Sequence, residues 1–490
     1  MNGGTTRRQF LRSAAVGAAS VGLTRELSWA APSMSRSLSR RPNLVFIFAD
    51  QWRAQATGYA GNPDVRTPNL DKLAGESINF SHAVSGCPVC SPYRASLMTG
   101  QYWLTHGIFH NDKPLNPDAT TIGKVYRQAS YATGYIGKWH LNGHDRNTSL
   151  QEGRNAFIPQ QRRQGFDFWR AGECCHNYNH SFYYADTATK QYWDGYDAIA
   201  QTREAQQYIR QHAGKSAFAL FMSWGPPHAP YHTAPDKYRR MFSAPDKIVL
   251  RPNVPESLRK KARQDLAGYY AHIAALDDCI GEVLAALKEC DIEQDTIFVF
   301  TSDHGDMLYS HGQTKKQKPW DESIRVPFLL RYPAVHGRRG RTINMLINTP
   351  DIMPTLLGLS GIPVPESVEG QDFSRVIEAA QLPGNDAALI MCPVPFHQWN
   401  YHRGGREYRG VRTRRYTYVR DLNGPWLLYD NQRDPYQLNN LCHQPECTQI
   451  QRKLDKILSQ KLKETNDEFL PGAEYMARWD YQWDGNDAPL

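Results

Sequence analysis

The chain has 490 residues, of which 40% are hydrophobic, 22% charged and 11% aromatic. This ordinary globular composition excludes a disordered, collagenous or small disulfide-stapled protein. Net charge is +8 from 57 basic and 49 acidic residues, and no Lys/Arg run dominates one segment, so no nucleic-acid partner is expected while anionic substrates are permitted.

The chain opens with Thr6-Arg7-Arg8-Gln9-Phe10-Leu11-Arg12, a small, apolar run from Ser13 to Leu23, and Ser28-Trp29-Ala30. That order predicts a twin-arginine export signal over residues 1–30, the alternative being an arginine-rich amphipathic helix that stays attached. The run falls short of the ~20 apolar residues a membrane span needs. The twin-arginine translocase is therefore an expected partner, and the periplasm or extracellular space the expected location. No other stretch approaches spanning length, so no stable membrane span is expected. Nine cysteines in so long a chain make no disulfide scaffold, and their odd number leaves at least one unpaired in a monomer. The expected pairing is Cys442 with Cys447, which would close a small loop after export.

From Asn43 onward, apolar runs of strand length alternate with amphipathic helical segments, the signature of a large, mainly parallel α/β sheet covered by helices on both faces. Predicted strands are Leu44–Phe48, Tyr131–Gly137, Ala217–Ser223 and Thr296–Phe300. A helix is predicted over Tyr269–Leu287, where Ile273, Leu276, Ile280, Val283, Leu284 and Leu287 recur at helical spacing. Another is predicted over Asp351–Leu359. The Pro/Gly/Ser-rich stretch Ser360–Glu369 and the break Gln381–Asp386 then mark a boundary. Beyond it, Tyr408–Val419 and Trp426–Tyr429 read as short strands at hairpin-like spacing, followed by a helix over Gln451–Leu462. The expected organisation is an α/β catalytic domain over 31–380 and a smaller α+β subdomain over 381–490.

Polar, chemically capable residues follow directly at the carboxyl ends of the four strands, where open α/β sheets bind ligands. The first strand delivers Asp50 and Gln51, the second Lys138 and His140, the third His228, and the fourth Asp303 and His304. Singly, each has a bland reading as turn residue, cap, interior histidine or surface charge. Their convergence is what singles them out.

A fifth element is Cys87-Pro-Val-Cys90-Ser-Pro92-Tyr-Arg94, running on to Gly100. Pro92 suits a first helical turn and Gly100 a helix end, which sets Cys90 beside a helix N-terminus that attracts anions. Cys87-x-x-Cys90 also has a redox or half-zinc reading, but no second such pair occurs to complete a zinc site. A buried, inert Cys90 is the remaining alternative.

These segments resemble the formylglycine-dependent (type I) sulfatases of the alkaline-phosphatase-like superfamily. Cys90-Ser91-Pro92-Tyr93-Arg94 with Leu97-Met98-Thr99-Gly100 resembles the signature whose cysteine is oxidised to formylglycine. Arg41–Gln51 resembles the first metal motif, Gly134–Leu141 the sulfate-holding motif, and Pro227–Pro230 the motif of the third-strand histidine. Phe300–Asp306 resembles the second metal motif, and Lys316 precedes Trp320–Pro327 as the family's other sulfate lysine does. Gly410–Arg412 and Leu428–Asp430 before Asp434-Pro435 resemble its C-terminal subdomain. The sequence departs at Tyr93, where the family usually has Ser, although Cys-x-Pro-x-Arg is kept. It departs also at Gln51, where many relatives have Asp; an amide oxygen still ligates a hard cation, at lower charge.

The resemblance implies sulfate ester hydrolysis, probing a chemical difficulty: an ordinary Ser or Cys attacking sulfur would be left as a stable adduct. One hydroxyl of a formylglycine hydrate at position 90 attacks the sulfur, and deprotonation of the second expels sulfate. A divalent cation held by Asp50, Gln51, Asp303, His304 and residue 90 polarises the group, with calcium favoured over magnesium or zinc by the mainly oxygen ligands. Lys138 and Lys316 hold the sulfuryl group, Arg94 orients the hydrate, His140 is the base for its second hydroxyl, and His228 hydrogen-bonds the sulfate or protonates the leaving oxygen. His311 is an additional leaving-group acid. A formylglycine-generating or sulfatase-maturating enzyme is the implied partner.

For the substrate, a sulfated small molecule or glycan, the candidate contacts are Trp399, His402 and Arg403 in an aromatic and polar loop. Packing of Trp399 in the interdomain seam is the alternative. Cys174–His180 reads as a loop, structural or lining the pocket mouth, or else as a zinc site. Two competing functions share the fold: a phosphonate monoester or phosphodiester hydrolase, and an inactive binder of sulfated glycans.

Overall fold

The computed structural model describes residues 41–144, 149–379 and 387–481. The expected export signal and the expected boundary at 380/381 lie outside the described residues. The molecule is built on strand β1, Asn43–Asp50, in which every residue is buried. A run with no polar alternation suits a strand covered on both faces. Period-two geometry then sends Val45, Ile47 and Ala49 into one hydrophobic cluster and Leu44, Phe46 and Phe48 into another.

Seven strands join β1 in one sheet: β2 Ile78–Val84, β3 Ala132–Lys138, β4 Phe168–Gly172, β5 Phe218–Pro227, β6 Thr296–Ser302, β7 Phe328–Arg331 and β8 Arg341–Asn348. Their order is β8-β2-β7-β6-β1-β5-β3-β4, and only the pairings of β7 with β2 and β6 are antiparallel. On one face lie α2, Asp197–His212, and α3, Arg259–Glu289. On the other lie α1, Cys90–Thr99, and α4, Thr349–Leu359. The helix expected over Tyr269–Leu287 starts earlier, at Arg259; its first turns, Arg-Lys-Lys-Ala-Arg-Gln-Asp, are mostly charged and offer little apolar periodicity to read.

The C-terminal strands form a separate antiparallel sheet, β9 Ala387–Cys392, β10 Tyr408–Thr413, β11 Tyr416–Asp421 and β12 Gly424–Asp430, in that order. One face is covered by α5, Thr448–Glu464, through Leu454, Leu458 and Leu462. The other packs Ile390, Val419 and Leu427 against Val84, Trp320 and Leu346 of the large-sheet region. Across the seam, buried Arg412 donates to both carboxylate oxygens of Asp321 at 2.8 and 3.0 Å. The described residues form one compact unit.

All nine cysteines are unpaired, which corrects the Cys442–Cys447 pairing. Cys442 Sγ instead donates to Gln451 Oε1 at 3.4 Å, at the start of α5. Among the described residues no helix is long and apolar enough to cross a membrane.

Candidate active site

Three elements meet at the carboxyl end of β1. Asp50 is its last residue, Asp303 and His304 follow β6 on one side, and Cys90 opens α1. One ligand atom from each of these four buried residues lies within 4.8 Å of the others. Cys90 Sγ is 3.5 Å from Asp50 Oδ2 and 3.3 Å from His304 Nε2. Among the described residues this is the one such group of His, Cys, Asp and Glu, so Cys174–His180 does not assemble a metal site. Cys87 does not join Cys90 there; burial in an apolar cluster pushes its thiol up to about 12.

Four basic residues surround this floor. Lys138 Nζ donates to Asp50 Oδ2 at 2.6 Å, and Lys316 Nζ to Cys90 Sγ at 2.9 Å. Arg94, a turn into α1, donates to Asp303 Oδ2 (3.3 Å), Ser223 Oγ (2.8 Å) and the Lys138 carbonyl (2.7 Å). His228, past the end of β5, donates from Nδ1 to the Ala229 carbonyl at 2.8 Å, which leaves Nε2 as its free ring nitrogen. Burial, with Lys316 and Lys138 nearby, holds His228 well below the ordinary histidine range, so it rests neutral.

The charges set the protonation states. Burial opposes ionisation of Asp50, but Lys138, His228, Lys316 and His304 outweigh it and hold the carboxyl well below its usual range. Burial and Asp50 together push Asp303 up to about 6. Burial and Asp50 also oppose ionisation of Cys90, yet Lys138, Lys316 and His304 draw its thiol far down.

The floor suits a divalent cation. Two carboxylates converge with the Nε2 of His304, whose Nδ1 donates to the Gly305 carbonyl at 3.0 Å. Gln51 adds an observation of its own. Its Nε2 donates to Asp306 Oδ2 at 2.8 Å, while its buried Oε1 has no partner. A buried acceptor without a donor is costly unless something binds it. The backbone of Gln51 is left-handed (φ 73°) and its N–H donates to Asp303 Oδ1 at 3.0 Å, so that strained turn is held by the site itself.

His140 follows β3 and is also left-handed, with φ 58°. Its Nε2 pairs with Asp112 Oδ1 at 3.0 Å, and Asp112 takes two hydrogen bonds from Arg154 at 2.9 and 2.8 Å. Burial disfavours the charged ring, but Cys174 and Asp112 overcome it and push His140 up to about 9. The buried Nδ1 has no partner.

Above the floor opens a cavity of about 690 Å³, a size that suits a small-molecule ligand. Its lining includes Cys90, Lys138, His140, His228 and Lys316. Cys174 and His176 line it too, with the His176 ring stacked on His228 at 4.4 Å. The loop between β9 and β10 supplies Phe396, Gln398 and Arg403.

Not every expected residue arrives. Trp399 is buried in the seam, stacked with Trp426 and edge-on to Trp320. His402 is exposed and His311 stacks on Trp320 while accepting from Asn253 Nδ2 at 3.1 Å; neither lines the cavity. Sequence reasoning missed Asp112, Arg154 and Ser223, whose partners are distant in sequence. Asp306 carried a signal, since it closes the Phe300–Asp306 segment.

Residues 42–362 match the family described as Sulfatase, and residues 310–464 match N-sulphoglucosamine sulphohydrolase, C-terminal. The chain is 43% identical over 453 residues to the ulvan-active sulfatase of Formosa agariphila, covering 91% of this chain and 86% of the relative. It is 29% identical to an endo-4-O-sulfatase of Bacteroides thetaiotaomicron, covering 89% and 95%. A solved Bacteroides thetaiotaomicron protein of glycosaminoglycan metabolism superposes with a TM-score of 0.79 at 28% identity, covering 90% and 99%. The phosphonate monoester hydrolase of Agrobacterium radiobacter, with a TM-score of 0.70 at 24% identity and coverage of 86% and 96%, shares the fold.

Proposed function

Because the chain belongs to the type I sulfatase family of the alkaline-phosphatase-like superfamily and is thereby a sulfuric ester hydrolase, we propose that it cleaves sulfate esters of a sulfated carbohydrate with formylglycine made from Cys90. The observation that carries this is the placement of Cys90 at a helix start, between the Asp50–Asp303–His304 floor and Lys138 and Lys316. In the mature enzyme the Sγ position is taken by oxygen, and the hydrated aldehyde supplies one hydroxyl to attack sulfur and another whose deprotonation releases sulfate. Asp50, Asp303, His304 and Gln51 Oε1 would hold the cation, calcium by preference for mainly oxygen donors, which supplies charge to the sulfate and the nucleophile.

The remaining steps belong to side chains. Lys138 and Lys316 offset the sulfate's charge where water is excluded. Arg94, fixed by Ser223 and the Lys138 carbonyl, orients residue 90. The arriving sulfate anion raises the pKa of neutral His228, so that Nε2 takes up a proton from water and gives it to the leaving oxygen as the S–O bond breaks, while the attacking hydroxyl releases its own proton to water. His140, with Nε2 held by Asp112, accepts the hydroxyl proton at Nδ1. Related glycan sulfatases support the carbohydrate as substrate. Export of the folded chain by the twin-arginine translocase to the periplasm or beyond, and oxidation of Cys90 by a maturating enzyme, complete the reading.

The test is the peptide containing residue 90, isolated from protein made alongside a maturating enzyme. It should carry an aldehyde that reacts with hydrazines, and that preparation should hydrolyse sulfated sugars. Full activity with unmodified Cys90 would overturn the reading.

A further inference from the structure

The cations of the cavity are not equivalent. Lys138 is matched by Asp50, Lys316 by Cys90 Sγ, and Arg154 by both oxygens of Asp112. Two further cations line the same cavity, Lys315 and Arg403. Among the described residues nothing forms a hydrogen bond or ion pair with the Lys315 ammonium or the Arg403 guanidinium, and no Asp or Glu lines the cavity. Lys315 is half-buried and Arg403 is exposed; burial together with Lys316 lowers the Lys315 pKa against the opposing pull of Asp306 and Cys90. A half-buried ammonium that no anion contacts directly is an arrangement a ligand anion would complete.

The placement is also built. Lys315 (φ 59°) and Gln317 (φ 75°), on either side of Lys316, are both left-handed. Asp306 Oδ1 accepts from the Lys315 N–H at 3.0 Å, and the Lys315 carbonyl accepts from Met307 N at 2.9 Å. The Gln317 side chain clamps Phe396, donating to its carbonyl at 3.0 Å and accepting from its N–H at 3.2 Å. That clamp fastens the Lys315–Lys316 turn to the loop that carries Arg403. Strained backbone held in place by its surroundings is characteristic of ligand clamps.

We propose that Lys315 and Arg403 form a second anion subsite, which takes a carboxylate or a second sulfate ester on the same sugar as the scissile sulfate or on the adjoining one. The proposal rests on the sulfatase reading for the first sulfate. Lys315 and Lys316 line the same cavity of about 690 Å³, so the two anions belong to one or two neighbouring rings. The substrate is then a polyanionic saccharide rather than a lone sulfate ester.

Three sulfated monosaccharides test it, alike in ring and scissile sulfate: one otherwise neutral, one with a uronate carboxylate, one with a second sulfate ester. Mature enzyme should favour at least one doubly anionic sugar over the neutral one by about tenfold or more in kcat/KM, the worth of a charge-assisted contact. The larger of the two ratios identifies the anion. Lys315→Met and Arg403→Met should each reduce that ratio, mainly through KM, and Lys315→Arg should retain it. Equal use of all three sugars, or a preference that survives both Met substitutions together, would overturn the subsite and leave the sulfatase reading intact. Hydrolysis of none of them would overturn both.

Discussion

At the scale of single residues, His140 is the group whose state decides when the site can act. Cys174 and Asp112 push it up to about 9 against burial and Lys138, so at neutral pH the ring is mainly a cation. As a base it works only in its neutral fraction, which grows as pH rises. The limb of the kcat–pH profile governed by this group should therefore ascend with a midpoint near its raised pKa. Asp112→Asn removes the carboxylate that favours the charged ring and leaves Arg154 without its anion. Both changes lower the histidine's pKa, and the midpoint should move down by about one unit or more. A midpoint that stays in place would assign the proton to another group. This dyad also shows where sequence reading stops. Asp50, Cys90, Asp303 and His304 were legible because each sits at a strand end or helix start. Asp112, by contrast, meets His140 and Arg154 through chain folding, with no local spacing to announce it.

At the scale of elements, the site depends on how closely β3 approaches β5. Gly137, with φ 101°, precedes Lys138, and a Cβ there would lie 2.1 Å from the Ser223 carbonyl oxygen. That contact is backbone, so nothing flexible can yield, and the positive φ disfavours any L side chain. Gly137→Ala should lower stability by about 2–4 kcal/mol in denaturant unfolding. It should also depress kcat more than global instability explains, because Ser223 and Lys138 both hold Arg94. Wild-type stability in this variant would mean the strands are freer to part than their register implies. The readable elements were those with long uniform or periodic apolar runs, such as β1, β6 and the core of α3, whereas the short, uniformly buried β7 and β9 were not predicted. β2 was missed, since its pattern INFSHAV mixes buried and part-buried positions without strict alternation. The early turns of α3 were missed because charged residues dominate them, leaving only Ala262 and Leu266 on the buried side.

At the scale of the whole molecule, the small C-terminal sheet completes the cavity, as its β9–β10 loop supplies Arg403 and its seam absorbs Trp399. The sequence announced a second subdomain through its change of pattern. It could not announce which side of that loop faces the cavity, because aromatic residues suit a seam and a sugar site equally well.

The floor joins this whole architecture from separate parts of the chain: β1 gives Asp50, α1 gives Cys90, and the end of β6 gives Asp303 and His304. A cation bound there is a tie across the centre of the sheet that the unfolded chain cannot form. Ligand at a hundredfold above its Kd then adds about 2.7 kcal/mol to stability. Chelation should accordingly lower the melting temperature by at least a few degrees, as well as abolish turnover. Calcium should restore both better than magnesium, whose strict octahedral demand and tight hydration suit this mixed carboxylate, amide and imidazole set less well. Asp303→Ala should remove the calcium-dependent part of the melting temperature, which separates lost metal binding from lost chemistry. A melting temperature and a rate that both survive exhaustive chelation would show that these buried acids need no metal, and that Arg94, Lys138 and Lys316 suffice to balance them.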